Sequence, residues 1–427
     1  MRLITTAELQ GLPPTTKYLF DNGLKVILCQ RGEAPIACIE IWYDVGSKYE
    51  VIGKTGLAHL FEHLMFSQTK NNKQGVFDRT IEKSGGDCNA ATWVDWTYYR
   101  DSVPTANIDE MLSLEADRMQ HLDLTEHLFQ KELDVVINER LETVEDNLDG
   151  FLDERLFKEA YQTHPYHSPT IGWMDDLNAL TLDDIVQFYR QEMSPARATV
   201  VIVGQFSKEK VLGTIANTLG KIPNTSTLRS DLPVEPEQLE DRDVVVQKEC
   251  ASYRTLMGHK IPEQTHAHWS HLWAASSILT GTASSRLVES LFYDKEWVSH
   301  IDCQCMPFAD PSLFMTSFTA TQNANPKDIA NDIKESFQSL AEQGPNELEF
   351  EKTLNQLKTD YWRGLQSNEQ IAEMLGHFET TTGDFRRSLD LRNHIMNASP
   401  HDIKTACSTY LMQPSTSVHL HPMDKKQ

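Results

Sequence analysis

LDDIVQFYRQEMSPARATVVIVG (residues 182–204) and PHDIKTACSTYLMQPSTSVHLHP (residues 400–422) carry one pattern twice. Each opens with an Asp-Ile step, passes through a proline-containing junction and closes on a run suited to a strand. Asp184-Ile185 matches Asp402-Ile403, and Thr199-Val200 matches Ser417-Val418, both at an offset of 218 residues. A helix followed by a strand, recurring at half-chain spacing, is the signature of a duplicated domain. Nearer the front of each half, the strand around Ile39–Tyr43 corresponds to about Arg254–Gly258. Between the copies, IPNTSTLRSDLPVEPEQLED (222–241) is rich in Pro, Ser, Thr and acid and lacks periodicity, so it reads as a linker. The expected division is 1–221, a linker over 222–241, and a homologous domain over 242–427. The expected fold class is α+β, with two tandem domains that each set helices on one face of an antiparallel-rich sheet.

Within the first copy, YLFD, Asn22-Gly23 and LKVILC predict strand, tight turn and strand, with Asn-Gly supplying the positive φ. ACIEIWYDVGS (37–47) alternates as a third strand, and GLAHLFEHLMF spaces Leu57, Leu60, Phe61 and Leu64 as on a helix. GGDCNAATWVDWTYYRDSV (85–103) reads as strand, and residues 106–121 and 126–160 read as helices.

Composition narrows the function. A chain of 427 residues exceeds one ordinary core. Its net charge of −23 argues against nucleic acid, because no basic patch is available to displace counterions from phosphates. Residues 126–155 hold ten carboxylates against three Lys or Arg, a local charge of −7. That run is either a solvated helix face or an acidic wall that attracts basic peptides. No run approaches the ~18 apolar residues of a membrane span. The opening MRLITTAELQ lacks the apolar stretch of a signal peptide, and seven cysteines without a CxxC pair fit reduced thiols, so a cytoplasmic setting is expected, or a periplasmic one if a leader has been removed. Cys303-Gln-Cys305 has the period of one strand face rather than of a ligand pair.

Residues 59–63 read HLFEH. On a helix, His59 and His63 are one turn apart and leave the same face. Two neutral imidazoles at that spacing can bind one Zn²⁺. Glu62 is placed to lean over the metal and take a proton from a water whose pKa zinc lowers towards ~7. The order is H-E-x-x-H with the glutamate moved to the other end of the pair. The second copy has roughly AASSILTG at this position, so only one copy can hold the metal. A tetrahedral site needs a third protein ligand. In KELDVVINERLETVEDN, Glu132 and Glu139 share a helix face with Val135 and Val136 between them, and periodicity leaves Glu132, Glu139 and Glu142 open.

H-x-x-E-H followed after 75 residues by Glu139 resembles the inverzincin peptidases of the pitrilysin/insulysin family, in length the mitochondrial processing peptidase-like branch. DNGLKVILC, GLAHLFEHLMF, SGGDCNAATWVDWTYY, HPYHSPTIGW and both domain endings look like family blocks and span nearly the whole chain. The resemblance implies a zinc endopeptidase whose halves close, as a clam-shell dimer, around a peptide-sized chamber. It assigns His59, His63 and Glu139 as zinc ligands, one ion per chain, Glu62 as general base and Glu132 as outer support. Asn89, Ala90, Ala91 and Thr92 would form a strand edge that pairs with an extended peptide through its main chain.

One element of the resemblance is missing. Family members usually supply an arginine and a tyrosine, seven apart, after a block like Ser285-Arg286-Leu287. Here those positions hold Phe292 and Ser299. Arg286 belongs to the block itself and Tyr293 is out of register. The expectation is a division of labour, in which this chain carries zinc and a homologous partner carries the Arg/Tyr pair, with a homodimer as the other arrangement. The rival class is a non-catalytic structural or peptide-binding subunit of the same fold, in which such metal motifs are usually eroded. A protease dedicated to maturing one ribosomally made peptide is a third reading. His164-Pro-Tyr-His167 is expected to be loop, and His266, His268 and His271 are given no role.

Overall fold

A computed structural model describes residues 1–423. The strands are β1 (Arg2–Ala7), β2 (Thr15–Leu19), β3 (Lys25–Gln30), β4 (Ile36–Tyr43), β5 (Asp87–Thr92), β6 (Thr97–Pro104), β7 (Ala198–Gly204), β8 (Arg242–Lys248), β9 (Arg254–Ile261), β10 (Val298–Cys305), β11 (Ser312–Ala320) and β12 (Ser415–Pro422). The first eight helices are α1 (Leu57–Leu64), α2 (Val76–Ser84), α3 (Ile108–His121), α4 (Glu126–Arg140), α5 (Leu148–Ala160), α6 (Met174–Ala179), α7 (Leu182–Glu192) and α8 (Lys208–Asn217). They are followed by α9 (Ala267–Thr280), α10 (Pro326–Gln343), α11 (Glu347–Gly364), α12 (Asn368–Thr382), α13 (Ser388–Met396) and α14 (Pro400–Tyr410).

The duplication is visible strand by strand. One sheet runs β1-β2-β3-β7-β4-β6-β5 and the other β10-β11-β9-β12-β8. Read from opposite ends, β3-β7-β4-β6-β5 and β8-β12-β9-β11-β10 are the same order. Among the described residues the parallel pairing in each is the equivalent one, β3 with β7 and β8 with β12. The matched helices α7 and α14 even start alike, with reciprocal capping boxes between Thr181 and Asp184 and between Ser399 and Asp402.

The units are not continuous in sequence. The first comprises residues 1–142, 168–233 and 362–389, and the second 143–167, 234–361 and the described residues from 390 onward. Each sheet therefore gains a helix from the other half of the chain. In the first unit β4 is buried from Ala37 through Tyr43, which a sheet covered on one side would not produce. Ile39, Ile41 and Tyr43 face the core that includes Leu60, Phe61, Met111 and Ile185. The opposite face meets α12, where Gly376 lies so close to the Trp42 indole that a Cβ would fall 2.1 Å from Nε1. In the second unit α5 plays the equivalent part, with Leu156 against Gly258 of β9.

Two sequence expectations need correction. Residues 85–103 form a hairpin, β5 and β6, joined at Trp93–Trp96 by the Trp93 N–H donating to the Trp96 carbonyl at 2.8 Å. The helix expected over 126–160 breaks after Arg140 into a π-turn segment (Leu141–Glu145) and restarts at α5, capped by Asn147. In the 20 residues of the linker no regular strand or helix forms, yet Glu235 accepts from the backbone N–H groups of Gln162, Thr163 and His164. Cys303 and Cys305 are buried on one face of β10, as strand spacing requires. No described helix is long and apolar enough to cross a membrane.

Glu40 sits fully buried on the α12 side of β4 and accepts from Trp42 Nε1 at 2.7 Å. Burial pushes its pKa up to about 8 against the pull of that hydrogen bond. The unfolded value is about 4.3. The folded protein thus keeps a proton that the unfolded chain releases, so the stability is present at low pH and is lost as pH rises towards 8. Glu50 behaves alike, again because of burial. Buried His259 and half-buried His377 are pushed down to about 4 by desolvation and act oppositely, but only below the unfolded histidine pKa of about 6.5. Between pH 6.5 and 8 Glu40 and Glu50 together outweigh Lys260, which acts oppositely because burial lowers its pKa to about 7. Metal-free protein is expected to lose stability there, with Glu40 contributing up to about 1.4 kcal/mol per pH unit. Glu40→Gln keeps the acceptor for Trp42 and removes the titration, so urea unfolding at several pH values should show a shallower slope. Equal slopes would mean that Glu40 ionises normally.

Candidate metal centre

Helix α1 begins at Gly56, whose φ of +89° a side chain would strain. Leu57, Ala58, Leu60, Phe61 and Leu64 are buried, which fixes the rotation of the helix and turns His59 and His63 away from the core. The two rings meet edge to face, 4.9 Å between centroids. Helix α4 starts at its Thr125 cap and buries Leu128, Phe129, Leu133, Val136 and Arg140. Val136 packs as expected, but Val135 is 43% exposed, so only one of the two valines lies inward.

This packing brings Glu139 to the histidine pair. Glu139 Oε1 lies 3.6 Å from His59 Nε2, and Oε2 lies 3.4 Å from His63 Nε2. Zinc bonds of about 2.0–2.1 Å in tetrahedral array separate their donors by roughly 3.3 Å, so the spacing suits that ion. Among the described residues this is the one group of three or more His, Cys, Asp or Glu side chains close enough to share a metal. The protonation states also fit. Burial holds the His59 pKa down to about 4, leaving a neutral imidazole, and the hydrogen bond to His63 holds Glu139 below the usual carboxylate range. A neutral imidazole and an ionised carboxylate are the forms a metal binds. That same bond raises His63, whose proton a metal would have to displace.

Glu62 lies beside the three and accepts from Thr92 Oγ1 at 2.6 Å. Burial raises its pKa, which the Thr92 hydroxyl and His63 oppose. Thr92 ends β5, the outermost strand of the first sheet. Asn89, Ala90, Ala91 and Thr92 pair with β6 along one side, and among the described residues no strand pairs with the other side of β5. Glu62, His63 and Glu132 line an open hollow of about 320 Å³ with Phe66, Ser67, Gln74 and Asp78. Glu132, expected as outer support, accepts no histidine N–H among the described residues. Its carboxylate instead takes Lys131 Nζ at 2.9 Å, and His59 Nδ1 is buried without a hydrogen-bond partner among the described residues. Glu132 acts on His63 only through its charge.

Sequence reading missed the hydroxyl of Thr92 on Glu62 and a set of contacts around Thr55, Arg140 and Gly172. The available signal was confined to Thr55, four residues before His59, and Arg140, next to Glu139.

In the second unit, Arg286 is committed to Glu349 through two hydrogen bonds of 2.7 Å. Phe292 and Tyr293 are exposed on a π-turn segment, Val288–Asp294, and Ser299 lies on β10. Helix α9 fills the position equivalent to α1 with buried Ala274, Ala275, Ile278 and Leu279. His164 and Tyr166 pack ring to ring, and Pro165–His167 forms one short 3₁₀ turn where a loop was expected. His266 accepts from the His268 N–H as the cap of α9.

Comparison with known proteins agrees with this asymmetry. Residues 25–173 match the model for insulinase (peptidase family M16), and residues 179–357 match the peptidase M16 inactive domain. The zinc protease PqqE of Helicobacter pylori is 30% identical over 416 residues, covering 96% of this chain and 94% of that protein. The crystal structure of a protease from Helicobacter pylori superposes with a TM-score of 0.91 at 30% identity, covering 96% of this chain and all of that one. A probable mitochondrial-processing peptidase subunit beta of Arabidopsis thaliana is 26% identical over 220 residues, 52% of this chain and 41% of that protein. The chain belongs to peptidase family M16, with its HLFEH helix in the insulinase half and the copy without that motif in the half named inactive.

Proposed function

We propose that this chain is a zinc-dependent endopeptidase that binds one Zn²⁺ through His59, His63 and Glu139. The observation that carries the reading is the approach of Glu139 to both imidazoles, 3.6 and 3.4 Å, from a separate helix. When bound, zinc supplies Lewis acidity that polarises a peptide carbonyl and makes water a nucleophile near neutral pH.

The remaining chemistry belongs to the chain. Glu62 takes the proton of the attacking water on a carboxylate oxygen and later returns it to the leaving amine. Thr92 Oγ1 fixes the orientation of that carboxylate by its 2.6 Å bond. The open side of β5 at Asn89, Ala90, Ala91 and Thr92 receives an extended peptide through main-chain hydrogen bonds, which suits unfolded segments and is largely blind to side chains. Residues able to hold the developing oxyanion are not supplied by Phe292 or Ser299, and Arg286 is tied to Glu349. A homologous subunit carrying Arg and Tyr completes the site in this reading.

Purified protein, stripped and then reloaded, should bind close to one zinc per chain by elemental analysis and should be stabilised against heat in proportion to zinc occupancy. Replacing His63 with Ala should abolish both effects. Full occupancy in His63→Ala would remove the assignment.

A further inference from the structure

The two helices that carry the metal-binding side chains touch one common segment. Gly172 accepts from Arg140 Nη1 through its carbonyl at 2.8 Å, and Arg140 is the residue after Glu139. Arg140 is 3% exposed, and its guanidinium lies over the Trp173 ring. On the other side, Trp173 N–H donates to Thr55 Oγ1 at 2.8 Å. Thr55 in turn donates to Asp176 Oδ2 from its hydroxyl at 2.7 Å and from its backbone N–H at 3.1 Å. Thr55 is 3% exposed and lies two residues before α1.

The backbones are in contact as well. A Cβ on Gly172 would fall 2.6 Å from Gly56 Cα and 2.6 Å from the Thr55 carbonyl oxygen. A Cβ on Gly56 would fall 2.8 Å from the Ile171 carbonyl oxygen. Both glycines are in the left-handed region, φ +89° and +87°. Glu50 adds a third hold on α1, accepting from the N–H groups of Gly56 at 2.8 Å and Ala58 at 2.7 Å. The start of α1 thus cannot slide towards or away from residues 172–176 without breaking several bonds.

We propose that the segment Gly172–Asp176 is an alignment brace for the metal, with Thr55, Asp176 and Arg140 as positioning residues that set the distance between the histidine pair and Glu139. Metal affinity depends steeply on donor spacing, because ligands held off their ideal positions must be moved at the expense of binding energy. Partners that hold ligands in place commonly contribute 10- to 100-fold in affinity. Thr55, Asp176 and Arg140 are not among the side chains that approach one another as metal donors, His59, His63 and Glu139. The proposal rests on the zinc reading above.

The test measures zinc affinity by competition with a chromophoric chelator, together with the melting temperature of the metal-free protein. Thr55→Val removes donor and acceptor at nearly constant shape, and Asp176→Ala removes the acceptor. Asp176→Asn keeps an oxygen in the same place. Thr55→Val and Asp176→Ala should bind zinc about 10- to 100-fold more weakly, and Asp176→Asn should stay near wild type. Ile215→Val, a core truncation on α8, serves as the control for general destabilisation. The proposal is overturned if folded Thr55→Val and Asp176→Ala keep wild-type affinity, or if Ile215→Val loses as much at an equal fall in melting temperature. Wild-type protein that binds no zinc would instead overturn the metal reading itself.

Discussion

Exchanging Glu62 for Gln is expected to leave about one zinc per chain while lowering peptide turnover by roughly a thousandfold. The two halves of that expectation come from different atoms. The donors that approach one another belong to His59, His63 and Glu139, and Glu62 is not among them. Gln has the same shape, so the Thr92 hydroxyl keeps an oxygen to bond and the helix keeps its packing. What disappears is a group able to accept a proton. General acid–base groups commonly contribute 10²–10⁴ in rate, and Glu62 is asked to serve in both directions of one cycle. The measurement is kcat on an unstructured reporter peptide, alongside metal content and melting temperature. Zinc lost together with activity would make Glu62 a ligand. Activity retained with zinc in place would move the base elsewhere.

The site was legible in part, and the reasons differ by residue. His59 and His63 stand at i and i+4 on a helix whose apolar positions announce its rotation, so their common face followed from spacing alone. Glu139 did not follow from spacing, because Glu132 and Glu142 satisfy the same helical arc. Only the resemblance selected it, and the tertiary contact between α1 and α4 gives the physical reason. The hairpin turn at Trp93–Trp96 was hidden because it contains neither Gly nor Pro, the residues that usually mark a turn. The break after Arg140 was hidden likewise, since Leu141–Asp146 is as helix-compatible in composition as what precedes it. The exchange of α5 and α12 between the halves of the chain was invisible for another reason. Both are ordinary amphipathic helices, and which sheet each covers is decided by long-range packing. The full burial of β4, Glu40 and Trp42 included, was the one local trace of a second covering layer.

The second large effect concerns what the chain lacks. Supplied alone with zinc, it is expected to cleave peptides slowly, and addition of a homologous subunit bearing the Arg/Tyr pair should raise kcat by about 10²–10³. The size follows from the usual loss of about 3–4 kcal/mol when a donor to a developing oxyanion is removed. The physical case is one of chemical inventory. Phe292 carries no charge and no donor, and it stacks edge to face on exposed Tyr293 at 5.1 Å. Ser299 has a hydroxyl directed to the Thr319 carbonyl. Arg286 is held by Glu349, Ser339 and Gly344, so recruiting it would break a closed set of hydrogen bonds. A direct test restores the pair within this chain. The double variant Phe292→Arg, Ser299→Tyr should gain activity without added partner, whereas either single change should gain little, because the two groups act on one intermediate. Both positions are exposed enough to accept the larger side chains without disturbing a core. Wild-type chain turning over at full rate as a homodimer would show that the oxyanion is stabilised by other groups, and the division of labour would be withdrawn.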